Sequence, residues 1–197
     1  MIAVIVALTA PALVSDPVID IRAVIPDALF DIRYATTDNF IGKAVYPFAG
    51  AFLRRSTALK LAKAAENLRA QGRRLIVYDA YRPLSVQKLM WSAKPDSRYV
   101  ADPAKGSAHN RAAAVDVGLA DEQGRPVRMP SRFDEFGLQA RHDARGAPPD
   151  ASAQARLLKR AMEDAGMRSL SEEWWHYQDP RSNDWPLLDI PLQDLVP

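Results

Sequence analysis

Two short fragments hold most of the residues whose types suit hydrolytic chemistry. In Glu173-Trp174-Trp175-His176-Tyr177 a carboxylate stands three residues before a histidine; in the stretch from Ser107 to Asp116 another stands seven residues after His109. The chain contains only three histidines and no cysteine, so any metal must be held by imidazole and carboxylate. A catalytic zinc needs three protein ligands and one open position for water. His109, Asp116 and His176 supply such a set, and Glu173 is left over as a carboxylate able to take a proton. Spacing alone also suits a plainer account, in which His176 is a hydrogen-bonded strand residue and His109 a loop residue.

The elements that would position these residues are readable in outline. A helix is expected over residues 56–71, with Ser56 as its N-cap, Ala58, Leu61, Ala65 and Leu68 as its apolar stripe, and Gly72 as its stop. Residues 74–80, RLIVYDA, read as a buried strand, and Pro83 opens a second helix through Val86, Leu89 and Met90. Residues 112–119, AAAVDVGL, read as another strand. Asp150 or Ser152 caps a third helix with Leu158, Ala161, Met162 and Ala165 on its stripe and Gly166 at its end. The aromatic richness of EWWHY suits a strand, and the proline-rich tail after Asp179 an extended surface loop. Strands and helices mix without strict alternation, which favours an α+β fold over a doubly wound sheet.

Two geometric demands follow. His109 and Asp116 would align on a helix, yet the small and β-branched residues between them indicate a loop running into a strand. Residues 173 and 176 face opposite sides of a flat strand. A shared site therefore requires a bend, or Glu173 placed just before regular pairing begins.

At 197 residues the chain suits one domain, set at residues 16–197. The net charge is +2 and the arginines 54, 55, 73 and 74 form pairs rather than a stripe, which gives a nucleic-acid partner little support. Residues 1–15 are apolar, with Ala10-Pro11-Ala12 as a small-residue cleavage site but without a basic start, and they are too short for a stable membrane span. Read as a signal peptide, they send the protein to the periplasm or outside; read as a buried strand, they leave it in the cytoplasm.

The sequence SAHNRAAAVDV resembles the Ser-x-His-x-x-Gly-x-Ala-x-Asp signature of the zinc D,D-peptidases, and EWWHY resembles their Glu-x-x-His element. YDAYRP, IRYATTDNFIGKAVY and MPSRFDEF are similar to the D-alanyl-D-alanine dipeptidases within that group. The likeness runs in order over roughly residues 20–190. It implies a small antiparallel sheet flanked by helices, the hedgehog-like α+β fold of these peptidases, with one Zn2+ per chain on His109, Asp116 and His176. It further implies Glu173 as general base, Arg82 as oxyanion partner, Ser107 for the substrate carboxylate, and Tyr34 with Asp134 for its ammonium. The implied substrate is D-alanyl-D-alanine or a similar small dipeptide. The alternatives are a carboxypeptidase or endopeptidase acting on peptidoglycan stems and a non-catalytic wall-binding domain. Trp174 and Trp175 read as packing on opposite sides of the strand, and His142, with no motif around it, as a solvated loop residue. One position departs from the signature: Ala112 stands where the family has glycine, and a left-handed backbone there would strain it by about 1 kcal/mol.

Overall fold

A computed structural model describes residues 16–196, so the expectations for residues 1–15 lie outside the described part of the chain. Its centre is a five-stranded sheet. The strands are β1 (Val18–Asp20), β2 (Leu29–Phe30), β3 (Phe52–Arg54), β4 (Arg74–Asp79), β5 (Ala114–Ala120), β6 (Arg168–Leu170) and β7 (Glu173–Gln178). The large sheet has the order β2-β4-β5-β7-β6, while β1 and β3 pair separately as an antiparallel ribbon. Every pairing in the large sheet is antiparallel except the short β2–β4 edge, where Leu29 lies opposite Ile76. The fold is thus the expected α+β type, with one parallel edge that the sequence did not announce.

The middle of this sheet explains the unbroken apolar runs. All of β5 is buried, as is β4 from Leu75 onward, because both faces of these strands are covered. Helix α1 (Arg55–Arg69) presents Ala58, Leu61, Ala65 and Leu68 to the core, and α3 (Pro149–Asp164) presents Ala151, Ala155, Leu158 and Met162. The two helices pack on one another, α1 against β4 and α3 against β5, β6 and β7. Helix α2 (Leu84–Ala93) stands at the end of β4, with Gln87 and Met90 fully buried.

The helix ends differ from expectation in one consistent way. Ser56 lies inside the first turn of α1 rather than capping it; the carboxylate of Asp16 accepts from Ser56 N at 2.9 Å and from its hydroxyl at 2.7 Å. A distant acid therefore does the capping, and its charge also suits the positive end of the helix. Proline, not Asp150 or Ser152, opens α3: Pro149 is its first residue and Asp150 sits in the first turn. Pro83 stands just before α2, and Gly72 follows α1 with φ +66°, where glycine is unstrained.

Candidate active site

Three local irregularities bring the chemical residues to one place. The first is in β4: Val77 lies opposite Val117, but Asp79 lies opposite Asp116, so Tyr78 is an extra residue. Such a bulge re-aims the side chain beyond it. Gly118 makes room for the displaced ring, since a Cβ there would sit 2.4 Å from the Tyr78 hydroxyl oxygen. The second is a 3-10 turn at His109–Arg111 that ends on Ala112 in the left-handed region, φ 55° and ψ 35°. This turn puts His109 at the mouth of β5, confirming a loop that runs into a strand.

The third irregularity meets the demand set by Glu173 and His176. Between β6 and β7 the register jumps from Ser169↔Tyr177 to Leu170↔Glu173, while pairing of β7 with β5 begins only at His176. Trp175 and His176, though consecutive, both line one cavity together with Glu173 and Gln178. Trp174 points elsewhere and donates from Nε1 to Ser131 Oγ at 3.0 Å. The bulge is the required bend, and the two tryptophans do face different sides.

The cavity has a volume of about 340 Å³, and all eight residues given a chemical role in the sequence reading line it. At its base, His109 Nε2 lies 3.1 Å from His176 Nδ1 and 3.3 Å from Asp116 Oδ1, and His176 Nδ1 lies 3.0 Å from Asp116 Oδ1. Ligand bonds of about 2.0–2.1 Å in a tetrahedron put the ligand atoms about 3.3 Å apart, so these three fit a zinc. Their proton states agree. His109 Nδ1 faces the carbonyl of Ala80 at 2.7 Å, which only accepts, so the proton is there and Nε2 offers a lone pair. His176 Nε2 faces Gln178 Oε1 at 3.3 Å, which leaves Nδ1 bare in the same way. Three buried lone-pair donors converging without a proton between them repel one another; a cation relieves that repulsion.

The acids around this base are tuned by burial. Burial pushes Glu173 up to about 8, helped by the negative charges of Asp116 and Asp134 and opposed by Arg82. Burial likewise raises Asp134 to about 7, with Asp116 adding to it and the Tyr34 hydroxyl and Arg82 opposing. Asp116 is the third acid, buried with Oδ1 against both imidazoles. A divalent cation at the triad favours the ionised form of all three acids.

Beyond the triad, Tyr34 is buried and its hydroxyl lies 3.0 and 3.1 Å from the two oxygens of Asp134, a residue at φ 61° that aspartate tolerates better than most. Ser107 Oγ accepts from His109 N at 3.2 Å, which leaves its own proton free for another partner. Arg82 is 8% exposed; its Nε and Nη2 donate to Asp79 Oδ2 at 3.0 and 2.6 Å. Burial opposes its charge, yet Asp79 more than compensates and holds the guanidinium well above its ordinary pKa.

Two residues here carry no role in the sequence reading. Asp79 is fully buried and also accepts from Tyr46 at 2.7 Å and Ala80 N at 2.9 Å. Its signal was present, because a buried arginine needs a counter-ion and Asp79 is the carboxylate three residues before Arg82. Gln87 gave no such signal. His142 differs from expectation: it is half-buried, packed edge-on against Tyr177 at 6.0 Å, and both ring nitrogens are buried without a hydrogen-bond partner among the described residues. It does sit in a loop, but its ring is turned inward against Tyr177 and not into solvent.

The chain is matched by the peptidase M15 family, described as D-ala-D-ala dipeptidase, over residues 15–192. It is 36% identical over 170 residues to the D-alanyl-D-alanine dipeptidase of Escherichia coli (strain K12), covering 86% of this chain and 88% of that protein. It is 31% identical over 186 residues to the D-alanyl-D-alanine dipeptidase of Enterococcus faecalis (strain ATCC 700802 / V583), covering 84% and 88%. Agreement across nearly the whole length of both relatives, over a buried His-Asp-His cluster with zinc spacing, places this chain in the D-ala-D-ala dipeptidase family of zinc metallopeptidases.

Proposed function

We propose that the protein hydrolyses D-alanyl-D-alanine, or a closely similar small dipeptide, using one zinc ion held by His109, Asp116 and His176. The observation that carries this reading is the convergence of the three lone-pair donors, 3.0–3.3 Å apart, in the same cavity as Glu173 and Arg82. When bound, zinc supplies an acidified water and polarises the scissile carbonyl.

The chain's own residues perform the remaining steps. Glu173, ionised once a cation balances its surroundings, accepts the proton of the attacking water on its carboxylate and passes it to the leaving amine. Arg82 offers its free N–H groups to the oxyanion that develops on the carbonyl, and Asp79 keeps it charged and fixed. The Ser107 hydroxyl donates to the substrate carboxylate while its oxygen stays occupied by His109 N. The substrate ammonium sits against Asp134, and the Tyr34 oxygen keeps lone pairs for it while its proton is held by that carboxylate.

A free dipeptide has a charge at each end, and this cavity has a partner for each. An N-acetylated dipeptide loses the ammonium and adds bulk against Asp134, so it should be cleaved about one to two decades more slowly in kcat/KM, from the roughly 1.5–3 kcal/mol of a charge-assisted hydrogen bond. The test is a panel of free D-Ala-D-Ala, its N-acetyl form and a stem pentapeptide, offered to wild type and Asp134→Ala. The variant should keep its zinc and lose most of the preference for the free amine. Equal cleavage of all three substrates by wild type hands the site to a carboxypeptidase.

A further inference from the structure

Arg82 is held from two sides, and only one of them is a charge. Asp79 takes Nε and Nη2, while Nη1 donates to Oε1 of Gln87 at 2.9 Å. Gln87 lies on α2, fully buried, and its Nε2 donates to the carbonyl of Ala101 at 2.7 Å. Ala101 belongs to the loop that forms one wall of the cavity, with Tyr99, Lys105 and Ser107 along it. One amide therefore joins the guanidinium to the wall carrying the serine proposed for the substrate carboxylate.

The chemistry explains why an amide suits this position. A guanidinium has five N–H donors, and three are engaged here, leaving two for a substrate. A second carboxylate would hold Nη1 equally well, but it would add a negative charge where an oxyanion must form and could not donate to Ala101. An aliphatic residue would fill the space and leave the planar guanidinium held only at one oxygen of Asp79, about which it can pivot. Glutamine alone among side chains of that length accepts from the arginine, donates to the loop and stays neutral.

Building on the reading of Arg82 as oxyanion partner, we propose that Gln87 is a positioning residue of this enzyme: it fixes the direction of the free Arg82 donors and locks the 97–107 wall to them. It touches no reacting atom. Ser107 is itself anchored to the His109 turn, its N donating to Asn110 Oδ1 at 2.8 Å, so loss of Gln87 should show mainly where charge develops and little where the ground-state dipeptide binds.

The experiment compares wild type with Gln87→Met and Gln87→Glu as zinc-loaded full chains, with zinc content measured for each. Gln87→Met should lose roughly tenfold to a hundredfold in kcat with KM within about threefold, since the contact at stake is a hydrogen bond to a charged group. A phosphinate analogue of D-Ala-D-Ala should bind it more weakly by the same factor, read by calorimetry, independently of turnover. Gln87→Glu keeps the acceptor and should hold the wall less well while weakening the analogue further through its charge. In an Arg82→Lys background the Gln87→Met change should cost little more, because the residue acts through the guanidinium. Equal analogue affinity in wild type and Gln87→Met, or an undiminished loss in the Arg82→Lys background, overturns the positioning role. A wild-type protein inactive on D-Ala-D-Ala would instead sink the dipeptidase reading, and the two failures are told apart by that first measurement.

Discussion

Strand β7 carries an imidazole environment on each of its faces. On one, His176 meets His109 and Asp116, and every ring nitrogen of the two histidines has a polar partner within 3.3 Å. On the other, behind Tyr177, the His142 ring is packed with neither nitrogen hydrogen-bonded among the described residues. His142 is less buried than His109 and His176, but its ring nitrogens are buried too; the difference lies in what the nitrogens face. Three lone pairs converging on one point make a site, whereas a half-buried ring against Tyr177, near Lys159 and Glu163, is a packing element that happens to titrate.

The largest expected effect breaks the first environment. His176→Ala removes one of three protein ligands, so zinc should be lost under mild dialysis and turnover with it, as atomic absorption and a D-Ala-D-Ala assay will read. Full zinc occupancy in both His176→Ala and His109→Ala would show that the convergence is not a metal site. Glu173→Gln probes the same face without touching a ligand. It should retain zinc but lose roughly two to four orders of magnitude in kcat, the usual range for a positioned proton-transfer group. Near-normal turnover there would move the base elsewhere, Glu172 being the nearest candidate along the chain.

The same contrast marks what was legible in the sequence. His109, Asp116, Glu173 and His176 lie in two compact fragments, and the buried strands that carry them announce themselves as apolar runs. What spacing could not supply was the bulge that turns Glu173 and His176 into one cavity; it could only state that a bend was needed. Tyr34 and Asp134 stand 100 residues apart on a 3-10 turn and a left-handed residue, with no periodicity to connect them, and only family likeness suggested the pair. Gln87 lies outside the stripe of Val86, Leu89 and Met90 expected for α2, yet it is buried and Leu89 is exposed. His142 was illegible because the contact that turns it inward, the ring of Tyr177, is 35 residues away and its own polar surroundings in sequence do not reveal it.

A smaller effect sharpens the second environment. Burial lowers His142 to about 4, the positive charge of Lys159 acts in the same direction, and Glu163 and Asp143 oppose it. Below its ordinary value of 6.5 the unfolded chain takes up a proton that the folded one refuses, so the folded state loses stability as pH falls from 6.5 toward 4 and is unaffected above that window. Allowing for the solvent-exposed edge of the ring, the loss is on the order of 1–2 kcal/mol. His142→Phe should remove it. The check is urea unfolding of wild type and variant at several pH values, both stripped of metal, so that protonation of the triad cancels in the difference. Parallel stability curves for the two proteins would mean that His142 titrates as freely folded as unfolded.

The smallest effect concerns the backbone beneath the triad. Ala112 sits at φ 55°, one residue after the turn that bears His109, with its nitrogen bonded to His109 O at 3.1 Å and its carbonyl accepting from Arg54 N at 2.8 Å. Left-handed geometry costs an alanine about 1 kcal/mol, which glycine would not incur. Glycine, however, loses more freedom on folding, by about 0.4–1 kcal/mol, and removes a fully buried methyl worth about 0.8 kcal/mol. The opposing effects nearly cancel, so Ala112→Gly should shift stability by less than about 1 kcal/mol, slightly downward. Both hydrogen bonds are made by the backbone and survive the change, so His109 stays in place and zinc content and kcat should remain within about threefold of wild type. Ala112→Val, by contrast, forces a β-branched side chain into the left-handed region inside a closed core, where the strain exceeds that of alanine and falls on the His109 turn. It should lose both stability and zinc affinity. A tenfold rise in kcat for Ala112→Gly would show instead that the alanine holds His109 away from its best position, and that the departure from the family glycine is paid in catalysis and not in folding.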